Sequence, residues 1–202
     1  MKQSPLLTAF IIIAYAGFCR TGPLQIKNRF SVNCYAGRST TDLFHAREML
    51  TQIMNVVGLT PNFELKEAKV DNIEASISHR KRYILYNPDF INWINNITND
   101  KWAALALMAH EVGHHLNGHT IKRKGSTPKL ELEADEFAGF VLYKLGASLQ
   151  QAQEVMKYIA KTIASSTHPS RDSRMLAIEN GWNKAAGTGA GIARSNSDKR
   201  KL

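Results

Sequence analysis

The segment that decides the fold is residues 101–118, which read KWAALALMAHEVGHHLNG. Its apolar residues repeat with helical spacing, and its first turns are apolar almost all round. The apolar stripe consists of Trp102, Leu105, Ala109, Val112 and Leu116. We therefore predict a buried helix over about 101–118.

The same segment contains the pattern HExxH, formed by His110, Glu111 and His114. Histidines four positions apart project from one face of a helix, so both imidazoles can reach one ion at about 2.0–2.1 Å. Glu111 is offset by one position, which keeps it out of the ligand set and lets its carboxylate take a proton from water that zinc has made acidic. On a buried helix these polar groups would carry a large desolvation cost unless a metal satisfied them. The pattern therefore predicts a catalytic metal site.

A hydrolytic zinc site needs a third protein ligand and an open fourth position. Glu131 begins the next predicted helix, and an antiparallel pair of helices would bring it to the ion. Asp135 would then lie one turn further along the same side, where it can accept the free N–H of a ligating histidine. We therefore predict that His110, His114 and Glu131 hold one Zn²⁺ per chain.

Other side chains near the motif compete less well as ligands. His119 suggests the metzincin pattern of zinc ligands. That pattern requires Gly and His at two positions where this chain has Asn117 and Thr120, so it does not apply. Glu133 points to a different helix face, where a solvated acidic helix start is the simpler explanation. His115 and His119 are expected to be neighbours of the site or surface histidines, and they receive no role.

The flanking sequence predicts a single α+β domain that is mostly helical and contains a small, largely antiparallel sheet. A helix is predicted over 41–58, with Thr40 or Thr41 as its N-cap and Gly58 as its stop. Strands are predicted over 62–67, 72–77 and 82–86, the last two joined by a turn at 78–81. Later helices are predicted to begin at Thr127-Pro128, to run over 149–164, and to run over 170–180 with Gly181 as the stop.

Further segments accompany the motif. They are Glu131-x-x-x-Asp135, Thr167-His168-Pro169-Ser170 followed by Arg174, and, more loosely, Asn72-Ile73-Glu74-Ala75 and Asn87-Pro88. Together with His110-Glu111-x-x-His114 and its continuation to His119, they resemble the HtpX-like and CAAX prenyl protease-like family of zinc metallopeptidases, in the gluzincin group. The resemblance covers roughly 41–181.

This resemblance implies a zincin-like fold with an HExxH active-site helix, zinc bound by the three predicted ligands, and Glu111 activating water. It also implies that His168 steadies the oxyanion at the scissile carbonyl and that Arg174 pairs with Asp135 or Glu131.

In such enzymes an edge strand binds the substrate as an added antiparallel strand. The resemblance therefore assigns substrate binding to Asn72, Ile73, Glu74 and Ala75.

The N-terminal residues predict an export signal. Lys2 supplies the positive region, residues 6–16 the apolar run, and Ala14-Tyr15-Ala16 the cleavage site. We expect a signal peptide over 1–16, an N-terminal arm over 17–40, a zinc metallopeptidase domain over 41–182 and a disordered basic tail over 183–202. No apolar run reaches the ~20 residues of a spanning helix.

Two fates are open for Cys19. It could carry a lipid anchor, although the bulky Phe18 before it fits lipoprotein processing poorly, or it could pair with Cys34 in an oxidising compartment. The mature protein is accordingly expected to be periplasmic or secreted, either free or as a membrane-anchored lipoprotein.

The formal net charge of +9 would permit binding to nucleic acid or anionic lipid. Much of this charge falls in the C-terminal tail and at Arg80, Lys81 and Arg82 in the predicted hairpin turn, and no nucleic-acid-binding motif is present. We expect solvated charge and no nucleic-acid partner.

These observations predict an exported zinc-dependent endopeptidase that acts on unfolded or extended polypeptides of the cell envelope. The chain lacks the transmembrane helices of the integral membrane members of that family, which argues against substrates confined to the bilayer. The alternative is a non-catalytic, zinc-stabilised polypeptide-binding or chaperone-like module, which the intact Glu111 disfavours.

Overall fold

The structure is a computed structural model and describes residues 40–121 and 127–188. Helix α1 (Thr40–Val57) is followed by strands β1 (Glu64–Glu67), β2 (Ile73–Ser78) and β3 (Lys81–Tyr86). Then come helices α2 (Pro88–Thr98), α3 (Trp102–Leu116), α4 (Pro128–Lys144), α5 (Leu149–Glu154), α6 (Met156–Ile159) and α7 (Arg171–Ala186). The described residues form a mixed α+β fold that is mostly helical, as predicted. The predicted signal peptide and the arm with Cys19 and Cys34 lie outside them.

Helix α3 runs through the core. Every residue from Ala103 to His110 is buried, which agrees with the apolar character of its first turns. Helices α1, α2, α4 and α5 and strand β2 all pack against α3. Helix α3 is therefore the element around which the described fold is assembled.

The sheet differs from the prediction in the direction of one strand pair. Its order is β1-β3-β2, and β2 pairs antiparallel with β3 through the predicted hairpin. Strand β1, in contrast, pairs with β3 in parallel. Residues 68–72 carry the chain from β1 across to the far side of β3 and reverse it, and the hairpin reverses it again. After two reversals, β3 runs in the same direction as β1. Strand β2 remains at an edge of the described sheet.

The helix predicted over 149–164 is shorter and divided. It consists of α5 and α6, and the chain becomes extended at Ala160. The Arg171 side chain donates two hydrogen bonds to the Ala160 carbonyl, of 3.2 and 3.0 Å, and the Arg171 backbone N–H donates to Lys161 at 2.7 Å. These bonds hold the exposed loop after α6 against the start of α7 and provide the physical reason for the early helix end.

The prediction that Gly181 ends the last helix is wrong. Helix α7 continues through Gly181 to Ala186 and ends at Gly187, whose φ of 74° is left-handed. The predicted tail therefore begins with helical residues. A Cβ atom at Gly181 would lie 1.8 Å from the carbonyl oxygen of Glu136, and one at Gly139 would lie 2.0 Å from that of Ile178. These two glycines allow the backbones of α4 and α7 to touch. Gly181 is therefore needed for helix packing and not for ending the helix.

Candidate metal centre

Three donor atoms converge between α3 and α4. His110 and His114 lie on the second half of α3, and Glu131 lies in the first turn of α4. The Nε2 atoms of the two histidines are 3.0 Å apart, and the Glu131 carboxylate oxygens lie 3.4 Å from His110 Nε2 and 3.5 Å from His114 Nε2. Four ligands placed tetrahedrally about 2.0–2.1 Å from an ion would be about 3.3–3.4 Å from one another. The spacing of this group therefore fits a bound metal ion.

Gly113 determines how closely α3 and α4 approach at this point. A Cβ atom on Gly113 would lie 3.0 Å from the Phe137 ring and 3.3 Å from the Ala134 backbone. Because Gly113 lies between the two histidines in sequence, the close contact brings the first turns of α4 to the histidine face of α3. Glu131 and His110 are buried, and 12% of the His114 side chain is exposed.

Asp135 and Arg174 orient His110 from the Nδ1 side of its ring, opposite the Nε2 atom that faces the other donors. The Nδ1–H of His110 donates to Asp135 at 2.8 Å, and Arg174 on α7 binds the same carboxylate with two hydrogen bonds of 2.7 and 2.6 Å. Arg174 also lies 3.9 Å from Glu131. Burial disfavours a charged His110, but the Asp135 carboxylate outweighs burial and raises the pKa of His110 to about 10 in the metal-free protein. The pKa of Asp135 is lowered, because His110 and Arg174 overcome its burial.

Glu111 is held by the sheet. Its carboxylate accepts a 2.7 Å hydrogen bond from the backbone N–H of Ala75 on β2. Burial raises the pKa of Glu111, although the charges of His110 and His114 act in the opposite direction. The carboxylate is thus oriented beside the two histidines without belonging to the donor triad.

The predicted substrate residues lie on β2 or just before it. Ile73, Glu74 and Ala75 belong to the strand, and Asn72 precedes it with its carbonyl accepting from the Asn87 N–H at 2.9 Å. Since the N–H of Ala75 points away from β3, alternation along an antiparallel strand directs the backbone groups of Ile73, Ala75 and Ile77 to the edge that no other described strand covers. Along this edge Ile73 is buried and Ile77 is exposed.

His168 lies in the loop between α6 and α7. Its Nδ1 is 2.8 Å from the Thr167 hydroxyl, and its backbone N–H donates to Ser165 at 3.0 Å. These contacts fix the loop around His168, and they do not join it to the donor triad.

His115, which received no role, is a structural residue. It is 1% exposed, lies 2.8 Å from the carbonyl oxygen of Tyr83 through Nε2, and stacks on Phe63. Burial lowers the pKa of His115 to about 4, which keeps the ring neutral. The residue ties the end of α3 to β3. These contacts of His115 could not be predicted from the sequence, because Phe63 and Tyr83 are distant from it along the chain.

Comparisons with protein-family models, curated proteins and solved structures returned no match for this chain. Over the described ranges, no helix has both the length and the apolar character needed to cross a membrane.

Proposed function

We propose that this protein is a zinc-dependent endopeptidase of the zincin type that hydrolyses unfolded or extended polypeptides. The observation that carries the proposal is the triad His110, His114 and Glu131, with Glu111 beside it and hydrogen-bonded to an edge strand. A metal-holding group alone would suit many functions. A carboxylate held next to that group, at a strand edge, is what peptide hydrolysis requires.

Zinc is the proposed metal because two imidazoles and one carboxylate are a ligand set of hydrolytic zinc sites, which leave a fourth position open. Zinc in this position would polarise the scissile carbonyl and make a nearby water molecule more acidic. The His110 ring is oriented by Asp135, so its Nε2 faces the other donors.

Glu111 is the proposed general base and acid. Its carboxylate would take a proton from the attacking water and then pass it to the leaving amine. The hydrogen bond from Ala75 leaves the other carboxylate oxygen available for this transfer. The raised pKa of Glu111 suits a group that must both accept and return a proton.

The open edge of β2 is the proposed binding site for the substrate backbone. The backbone groups of the exposed Ile77 and the carbonyl of Ala75 would pair with an extended peptide added antiparallel to the strand, next to Glu111. A folded polypeptide presents few such extended segments, so unfolded envelope proteins are the proposed substrates. Export through the leader at 1–16 and the oxyanion role of His168 belong to the same proposal.

Substitution of Glu111 by Gln tests this function. The glutamine side chain would have nearly the same shape but could not accept the proton, so we expect cleavage of unfolded casein to fall about 10²-fold to 10⁴-fold with bound zinc unchanged. Chelation should abolish wild-type cleavage, and added zinc should restore it. Glu136→Gln removes a charge elsewhere on α4 and serves as the control. Undiminished, metal-dependent cleavage by the Glu111 variant would contradict the proposal, and casein binding without cleavage by wild type would support the polypeptide-binding module.

A further inference from the structure

We infer that His119 and Glu133 form a positioning relay for His114, the one histidine of the donor triad that Asp135 does not contact. The inference rests on the proposed function only in taking His114 as a metal ligand. Neither residue ligates in the proposed site, and both act through the ring of His114.

The hydrogen bonds of the three residues form one chain. His114 Nδ1 lies 3.0 Å from His119 Nδ1, and His119 Nε2 lies 2.9 Å from a carboxylate oxygen of Glu133. If His114 uses Nε2 for the metal, its proton lies on Nδ1 and is donated to His119. His119 must then carry its own proton on Nε2, which donates to Glu133. One assignment of protons satisfies every nitrogen in the chain.

The end of α3 places His119 against His114. Gly118 adopts a left-handed φ of 71°, and its N–H donates to the His115 carbonyl at 3.1 Å. The N–H of His119 then donates to the carbonyl of His114 at 3.0 Å. These two bonds define a Schellman motif, in which the chain reverses at the glycine and returns over the last helical turn. The cap therefore fixes the backbone of His119 directly beside the ligand it contacts.

The relay parallels the support of His110 but differs in burial. Asp135 is fully buried and is held by Arg174, whereas 6% of the His119 side chain and 42% of the Glu133 side chain are exposed. Glu133 also lies 3.8 Å from Lys129, which is largely exposed. Because water can partly replace Glu133 but cannot easily reach His119, His119 should contribute more to metal binding than Glu133.

Zinc affinity measured by competition with a chromophoric chelator, without any substrate, tests the relay. We expect His119→Ala to weaken zinc binding by about 10-fold to 100-fold and Glu133→Ala by a smaller but measurable factor of about 3-fold to 10-fold. His119→Asn should recover most of the loss, because its side-chain oxygen can accept the proton of His114 where Nδ1 does now. The absorption spectrum of bound Co²⁺ should change in His119→Ala and return toward wild type in His119→Asn.

A double variant gives the sharpest test. Since Glu133 acts through His119, adding Glu133→Ala to His119→Ala should weaken zinc binding no further than His119→Ala alone. Glu136→Ala, which removes a carboxylate of α4 that pairs with Lys184 instead, should bind zinc as wild type does. If His119→Ala does not fold, Glu133→Ala at its partly exposed position still supports or overturns the inference.

The outcomes for the relay and for the peptidase are distinguishable. Wild-type zinc affinity and an unchanged Co²⁺ spectrum in folded His119→Ala would overturn the relay. If only Glu133→Ala folds, wild-type zinc affinity in that variant would overturn it. Either result would leave the peptidase proposal intact. A wild-type protein that binds zinc through the relay but cleaves no polypeptide would refute the peptidase and leave the relay standing.

Discussion

At the residue scale, His110 and Glu111 are adjacent in sequence but are held from different directions. Asp135 on α4 orients His110, and the backbone of Ala75 on β2 orients Glu111. In the proposed mechanism, holding the metal and transferring the proton would therefore depend on different neighbouring elements. A disturbance of β2 should affect proton transfer first, and a disturbance of α4 should affect the metal first.

The oxyanion role proposed for His168 is open to a direct test. If His168 stabilises charge only in the transition state, His168→Ala should lower kcat by about 10²-fold with little change in KM or in zinc content. Steady-state kinetics on a fluorogenic peptide, with bound zinc measured in parallel, would report all three quantities. His45→Ala, at an exposed position of α1, is the control. An unchanged kcat would remove His168 from the mechanism.

Sequence was sufficient for the residues whose geometry is local. The His110 and His114 pair follows from helical spacing, whereas Glu131 also required the assumption that the next helix runs antiparallel to the first. The proximity of His119 to His114 could not be found in the same way, because it depends on the left-handed turn at Gly118 rather than on helix periodicity. The available signal was a glycine followed by a histidine just past the helix end. This signal allowed His119 to be considered as a metal ligand, but it did not indicate a hydrogen bond to His114.

At the element scale, the crossing of α4 and α7 decides where Arg174 lies. Gly139 and Gly181 bring the two backbones into contact, and Arg174 then reaches Asp135. Periodicity identified both helices but could not show their contact. A glycine near the end of a polar helix predicts a stop equally well, which is why the prediction for Gly181 is wrong.

Gly181→Ala should test this crossing. An added methyl group would overlap the Glu136 carbonyl, and since both partners are backbone, the helices must move apart. We expect a loss of at least about 2 kcal/mol in the free energy of unfolding, measured by urea denaturation. Asn180→Ala, one position earlier and exposed, should change it by no more than about 0.5 kcal/mol. Equal stability of the two variants would show that the contact is not tight.

The sheet illustrates a second limit of local patterning. Alternation and turn residues correctly predicted the hairpin of β2 and β3, whose positive φ angles at His79 and Arg80 suit a two-residue turn. The pairing of β1 with β3 depends on the connection 68–72, which reverses the chain and places β1 on the far side of β3 from β2. That choice involves residues far apart in sequence and leaves no local signal.

At the scale of the whole molecule, the apolar core and the metal centre are separable. The first turns of α3 lie in the core with side chains such as Ile53, Ile84 and Leu142, while the donors lie at the other end of the helix. The metal-free protein should therefore remain folded but be less stable. In this respect we expect the candidate site to differ from those in small zinc domains that unfold without metal.

Thermal unfolding with and without zinc would measure this coupling. At free zinc 100 times Kd, the native state should gain about 2.7 kcal/mol, and Tm should rise with further zinc. His114→Ala should fold but show a much smaller zinc-dependent rise, while Glu111→Gln should respond as wild type does. A cooperative transition that disappears on chelation would instead mean that the core depends on the metal.

The backbone contact between α4 and α7 also limits how far this chain can be shortened from its C-terminal end. Shortening the chain at residue 182, a natural choice from sequence alone, would cut α7 just past the glycine that docks it and remove the turn that ends it at Gly187. Arg174 would remain in the shortened chain on a frayed helix. Any trimmed version intended for biochemistry should therefore keep every residue through Gly187.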